Sequence, residues 1–558
     1  MGSLALVIVS VAGETPAATR GNNPVALENA KPGTSSWNTV QAAFRWIEGY
    51  TSEVSAAPGE AVHFHVQTDP AAHYRIDIYR MGWYGGLGGR LVACLPACDR
   101  DDQGAPQPVP PFDPDTGIAR AGWPVTDTIT IPPDWVSGYY AAKLVLTDGP
   151  RRGRTSTVPL IVRQASSQTP SAILVNAPVN TWQAYDSWGG RSLYTFRNGY
   201  GSNHVSFDRP YVHGEQDMFN WEYQLVRFLE REGYDVSYTT DVDVDANPPE
   251  LQRHRLFMTA GHDEYWSKTI RDALETAREA GTNLAFMGGN TGYWQLRYED
   301  NRRTLVEYRI RSVDPEPNPA LKTTQFRLLG PRRPECQLLG VQWQDGIGFE
   351  TDFPINNASL GDPYFAGTGF TAGAVLPRLL GGEWDGVQAG CDVPTPTVFF
   401  HFPGANERGP GDVTRYIATS GARVFDGSAL QFSWGLDNWG TDLPPADPRL
   451  QQFVRNALDD LTRPAAPIEV TATRGRKRVT VRIRRYTDVR VRWTAVYRHA
   501  GRGAFGIGGR GTQLVCVTTT DRCLDRTLPF PRIARYAAIT RDRWNPSRPT
   551  YSDTVTLR

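Results

Sequence analysis

The chain has 558 residues, 40% of them hydrophobic, with 59 Lys+Arg against 59 Asp+Glu. That length accommodates roughly three or four domains with sizeable cores, and the composition excludes a chain disordered throughout. Zero net charge excludes a uniformly basic protein, yet the balance is uneven: residues 465–558 hold 20 Lys+Arg and 6 Asp+Glu, an excess of +14 that the rest of the chain offsets with −14.

The apolar run at residues 4–13 reads as the core of a signal peptide, although it lacks a basic flank. Residues 14–36, rich in Ala, Pro, Gly and Asn, read with it as a flexible lead. From 37 to 163 the pattern is β. Residues 61–66 and 74–79 alternate, and 139–146 and 157–162 add further strands, with Pro58-Gly59 and Asp148-Gly149 as turn signals. A β-sandwich is expected there. His63 and His65 share one strand face and read as an exposed polar face rather than a metal pair.

The character changes after the polar linker 164–170. Apolar strands at 172–175, 234–238, 256–260 and 283–287 alternate with helical patterns at 217–232 and 268–280, the latter capped by Ser267 and stopped by Gly281. Alternating strands and helices imply a parallel sheet in an α/β domain spanning 171–462. Runs at 397–402 and 422–425 extend it, a helix at 449–461 closes it, and 300–395 reads as a long excursion. After Pro464-Ala-Ala-Pro467, strict alternation at 478–484 and 489–493 predicts a small Arg-rich, fibronectin-like β-sandwich over 465–558.

Six cysteines fall into neighbourly pairs, Cys94 with Cys98 and Cys516 with Cys523, leaving Cys336 and Cys391. An even count so placed suits disulfides, which persist outside the reducing cytosol. With the signal-like segment, this predicts a secreted or cell-envelope protein. The basic terminal module would favour an anionic envelope polymer; nucleic acid is not expected as a partner.

Chemistry concentrates in Gly-His-Asp-Glu-Tyr-Trp at residues 261–266. It follows a strand, and loops at the carboxyl ends of parallel strands are where ligands gather. Two other polar clusters follow strands: Asn-Thr-Trp-Gln-Ala-Tyr at 180–185, and Gly-Gly-Asn-Thr-Gly-Tyr-Trp at 288–294. Right-handed crossovers deliver these loops to one edge, so Tyr185, Asn290 and the 262–264 loop should meet. The glycine pairs at 189–190 and 288–289 would let backbone approach a ligand, and the tryptophans 182, 188, 266 and 294 would pack the rim or stack on one.

These three motifs, with Tyr-Arg-Met-Gly-Trp-Tyr-Gly-Gly at 79–86, resemble the large (β) subunit of the N,N-dimethylformamidase family over about residues 45–462. The resemblance implies a central domain similar to class I glutamine amidotransferases and a mononuclear, ferric iron amidohydrolase acting on a small amide. By motif, iron would be held by Tyr185, Glu264 and a tyrosine in Ser-Gly-Tyr-Tyr at 137–140, chosen as Tyr140 with Tyr139 as its neighbour. His262 takes the catalytic position and Asn290 that of the active-site asparagine. Asp263 would orient His262 or support the loop. The family enzyme also requires a small partner subunit, and homo-oligomers are expected. The competing reading is an exported protein that binds carbohydrate or envelope material in an aromatic-rimmed cleft without catalysis. The other histidines, His204, His213 and His401, read as structural or exposed, with His204 and His213 candidates to line the entrance.

Overall fold

A computed structural model describes residues 21–38, 45–194, 201–212, 218–405, 407–440, 444–509, 511–527 and 531–556. The architecture is β-rich and multidomain. In the first unit, β1 (Ile47–Thr51) and β2 (Ala61–Thr68) belong to a three-stranded sheet. β3 (His73–Met81), β4 (Gly89–Leu95), β5 (Gly138–Leu146) and β6 (Thr155–Val162) form the body of a six-stranded one. Alternation turns Val62, Phe64, Ile76, Ile78, Leu144 and Leu160 inward to a shared core. His63 pairs with Glu53 at 2.8 Å, while His65 is buried, bonded to the Trp123 carbonyl and the Ser52 hydroxyl, both at 2.8 Å. Both histidines are thus structural.

Part of the lead is ordered. Helix α1 (Pro24–Asn29) is capped by Asn23, whose side chain also donates to the Gly233 carbonyl at 2.9 Å. The flexible lead read from composition therefore fails for this segment, because its polar side chains find partners in the next unit. The signal-like residues and His213 lie outside the described residues.

The central unit comprises β7 (Ile173–Ala177), α2 (Val179–Tyr185), α3 (Tyr223–Arg231), β8 (Val236–Thr240), β9 (Leu256–Gly261), α4 (Lys268–Glu279), β10 (Asn283–Gly288), β11 (Thr397–Phe402), β12 (Gly411–Ile417), β13 (Arg423–Asp426) and α5 (Pro448–Leu461). Its seven-stranded sheet runs β8-β7-β9-β10-β13-β12-β11. The first five strands are parallel, and the last two add an antiparallel edge. Five parallel strands need both faces covered, which is why they read as apolar runs rather than alternating ones. Ser267 caps α4 by accepting from the Ile270 amide at 3.1 Å, as its position predicts. Within 300–395 the chain makes short antiparallel pairs, Gln342–Asp345 with Trp384–Gly386 and Glu350–Pro354 with Val375–Gly381.

A buried ion pair joins the first two units. Arg80 on β3 makes a two-pronged contact to Glu230 on α3 at 2.9 and 3.0 Å, and both side chains are fully buried. Tyr238 and Asn29 add donors to the same carboxylate at 2.9 and 2.6 Å. A side chain at Gly82 would run into Glu230. The motif at 79–86 therefore builds a domain joint.

The third unit packs a three-stranded sheet, Glu469–Arg474, Val479–Arg484 and Arg522–Asp525, against a five-stranded one whose long members are Trp493–Ala500 and Ile533–Arg541. Cys516–Cys523 closes between strands of the two sheets; Cys94–Cys98 and Cys336–Cys391 form the other two disulfides, the pairing expected from their spacing. The alternation at 489–493 makes a strand only from Trp493 onward. Residues before it turn to the central unit, where Asp488 receives Arg255 at 2.6 Å and Arg490 reaches the Ala280 carbonyl at 3.0 Å. Arg255 also meets Asp542 at 2.6 Å and is fully buried. This contact lies at the amino ends of β9 and β10, away from the loops at their carboxyl ends. Among the described residues no helix is long and apolar enough to cross a membrane.

Candidate metal and catalytic site

β9 ends at Gly261 with φ of 61°, and β10 ends at Gly288, where a Cβ would overlap the Gly261 carbonyl. Gly289 lies against the Glu383 and Ser428 carbonyls, which an added Cβ would meet at 2.8 and 3.0 Å. The pair at 288–289 therefore brings protein backbone together, not backbone to ligand as expected. Gly189 and Gly190 serve a turn, both at positive φ.

The loop between β9 and α4 is pinned on both sides. The Glu264 amide donates to the Thr181 hydroxyl on α2 at 3.0 Å, and Asn180 donates to the Tyr265 carbonyl at 3.0 Å. From the loop after β10, Gly292 and Trp294 amides donate to the Asp263 and Glu264 carbonyls at 2.8 and 3.0 Å. Asn290 adopts φ of 52° while its amide donates to Asp385 at 3.1 Å.

Glu264 is the centre of the site and is 3% exposed. The Tyr185 hydroxyl donates to its Oε2 at 3.0 Å, and the Tyr194 hydroxyl lies 2.9 and 3.0 Å from its two oxygens. Trp294 Nε1 donates to Oε1 at 2.9 Å. His262 Nε2 is 3.3 Å from Oε2, and Asn290 Nδ2 is 3.4 Å from the same nitrogen. Tyr265 donates to the Tyr194 hydroxyl at 2.6 Å, and the Arg309 guanidinium covers the Tyr194 ring at 4.1 Å.

Burial dominates the electrostatics. It pushes Glu264 up to about 7, against the lowering effect of Tyr194, Arg309, Tyr185 and Trp294. It drives the Tyr185 and Tyr194 phenols well above their ordinary range, reinforced by the Glu264 charge. It pushes His262 down to about 3, so the imidazole is uncharged at neutral pH. Two phenols and a carboxylate crowded in low dielectric are stabilised together when a cation takes the place of their protons. Among the described residues no three His, Cys, Asp or Glu side chains gather as a metal site, so a cation here would depend on the phenol oxygens.

The structure thus brings Tyr185, His262, Glu264 and Asn290 together. It does not bring Tyr140. That hydroxyl donates to the Val136 carbonyl at 2.8 Å, and its ring stacks on Trp135 within the first unit's core. The neighbouring Tyr139 points to the other side of β5, packing near Trp182 and Tyr238 with no bond to Glu264. The second phenol at Glu264 is Tyr194, nine residues past Tyr185. Its place in the loop leaving the same strand and helix was the available clue. Asp263 neither faces solvent nor bonds His262: it accepts from Trp266 Nε1 at 2.8 Å and Asn176 at 3.2 Å, bracing the loop. Trp182, Trp188 and Trp266 are buried at 4%, 3% and 1% exposure and cannot stack on a ligand, whereas Trp294 bonds Glu264 directly. His204 packs against Tyr308, and His401 pairs with Asp412 at 2.6 Å.

Two contributors come from the 300–395 excursion. Glu383, fixed by Trp343 Nε1 at 2.8 Å, is held well above its usual range by burial and by the charge of Glu264. Arg309 rides on a segment organised by Asp314, which accepts from Arg297 at 2.7 Å, from the Thr323 amide at 2.6 Å and from the Glu316 amide at 3.0 Å. Burial would raise Asp314, but these donors prevail and hold it at about 2, below its ordinary 3.8. The stability it contributes is present above pH 3.8 and is lost as pH falls through about 2. Asp314→Asn is therefore expected to melt earlier than the parent at neutral pH, with the difference in Tm vanishing toward pH 2, as a thermal-denaturation series would show.

The family model for N,N-dimethylformamidase beta subunit-like, C-terminal, matches residues 75–445, two-thirds of the chain. The chain belongs to this family. The match takes in Arg80 and Glu230 of the domain joint, the loops at the carboxyl ends of β7, β9 and β10 and all of the excursion, and stops short of the Arg-rich module. No curated protein matches. Among solved structures, titin kinase with its flanking domains aligns at 13% identity over 17% of this chain and 17% of its own, with a TM-score of 0.15. A further multi-domain titin fragment aligns at 15% identity over 16% of this chain and 31% of its own, with a TM-score of 0.14. The chain thus spans less than a third of either titin structure, too little to bear on its fold.

Proposed function

We propose that the protein is an iron-dependent hydrolase of a C–N amide bond, secreted or held at the cell envelope, whose central unit is of the class I glutamine amidotransferase type. The observation that carries this reading is the convergence of the Tyr185 and Tyr194 hydroxyls on the Glu264 carboxylate beside an uncharged imidazole. Tyr185, Tyr194 and Glu264 would hold the ion; phenolate and carboxylate oxygens are hard donors that suit ferric iron. When bound, the ion would polarise the amide carbonyl and acidify bound water. Arg309, stacked over Tyr194, favours the phenolate form by opposite charge. His262 presents Nε2 to the oxygen cluster and takes the proton from the attacking water, then returns it to the leaving amine. Asn290 Nδ2 lies on the same side, 3.4 Å from that nitrogen, and donates to the developing oxyanion. A donor of this kind stabilises the transition state by about 3–4 kcal/mol. The small amide substrate, partner subunit and homo-oligomer belong to the same reading. Pure binding by stacked tryptophans loses its support with three of the four rings buried.

Metal analysis of the purified full chain tests the proposal. Near-stoichiometric iron is expected in the parent and in Tyr140→Phe, with little in Glu264→Ala or Tyr194→Phe. A panel of small amides, assayed for amine release, should show activity that follows iron content. Iron retained by Glu264→Ala would remove the carboxylate from the ligand set, and amine release without iron would end the metal reading.

A further inference from the structure

The outer face of the terminal three-stranded sheet carries a concentration of positive charge that the proposed hydrolysis does not use. Alternation along Val479–Arg484 sends Val479, Val481 and Ile483 into the core and Arg482 and Arg484 outward. The neighbouring strand sets Arg522 directly opposite Arg482. Like charges directly opposite on adjacent strands destabilise a sheet. Among the described residues neither guanidinium has an ion-pair partner, and only Arg484 is matched, by Glu469 at 3.3 Å. The turn between the first two strands adds exposed Arg476, Lys477 and Arg478. Asp521 is the acidic neighbour at the edge. The module's inward side shows the contrast: Arg498, mostly buried, is neutralised by Asp525 at 2.7 Å.

We propose that this face binds a linear phosphodiester polymer through its backbone, without reading any base. Five of the six cations are arginines, whose planar fork pairs with phosphate in two-pronged fashion. None of the three strands contributes an aromatic residue, so the face offers no platform for base stacking. The module docks on the amino ends of the central strands through Arg255, Asp488 and Arg490, so a polymer on the outer sheet leaves the Glu264 edge clear.

Binding of the full chain to poly(glycerol phosphate), measured by fluorescence anisotropy, is the test. With about five phosphates engaged, affinity should fall roughly 100-fold between about 50 and 200 mM salt. Arg482→Glu with Arg522→Glu should weaken binding at least tenfold at an unchanged Tm; should that variant melt early, Arg476→Glu with Lys477→Glu in the exposed turn decides. Single-stranded DNA should bind no tighter per phosphate, and hyaluronate, a carboxylate polymer, should bind more weakly. Unchanged affinity in the folded variant, tighter binding of DNA or hyaluronate, or binding only to anionic vesicles would each overturn the proposal. Iron content and amine release should be unaffected in both variants, which separates this result from the fate of the hydrolase reading.

Discussion

His262→Ala should keep its iron and lose about 10²–10⁴-fold in kcat, the range a positioned general base contributes. The geometry sets that expectation. Nε2 lies 3.3 Å from the Glu264 carboxylate, the ring is 2% exposed, and burial keeps it uncharged at neutral pH. An uncharged imidazole can accept a proton from water, whereas a charged one could not. Because the proposed ligands are oxygens from Tyr185, Tyr194 and Glu264, removing the imidazole should leave metal content near the parental value. Steady-state amine release, with iron measured on the same samples, checks both halves. Unchanged kcat would deny His262 its role, and loss of iron would make it a ligand instead.

Arg80→Met should be among the most destabilising single substitutions in the chain. Removing one member of a buried ion pair costs about 3–5 kcal/mol because the other charge is left uncompensated. Here the residue left behind is Glu230, fully buried, with only the neutral donors Tyr238 and Asn29 remaining. Arg80→Met with Glu230→Leu should recover much of the loss, since an apolar pair of similar volume is tolerated where a lone charge is not. Chemical denaturation of the parent, both single variants and the double variant measures the coupling. Equal stabilities for Arg80→Met and the parent would show that the joint is not held by charge.

Most of the framework was legible because burial writes itself into residue order. The parallel strands are covered on both faces and appear as apolar runs; the sandwich strands are covered on one and alternate. The site was legible where strand order dictates it, since β7, β9 and β10 are neighbours and deliver Tyr185, His262, Glu264 and Asn290 to one edge. It was not legible for Tyr194, which sits in irregular chain whose path no period describes. Only the family resemblance points to Tyr140, and local β geometry overrides it by turning the ring into the sandwich core. Arg309 and Glu383 come from a stretch of short, irregular pairings, and their approach to Glu264 depends on tertiary packing. The failed strand at 489–492 has the same cause, because Asp488 and Arg490 are spent on the central unit rather than on a ladder.

The burial of Arg255 between Asp488 and Asp542 bears on how the chain can be divided. A fragment ending near Pro464 would keep the guanidinium and forfeit both carboxylates, exposing a surface shaped for a neighbour that is gone. The Arg-rich module is therefore no detachable appendage: exchanging it for another would require the newcomer to bring its own pair of acids to the floor of the sheet.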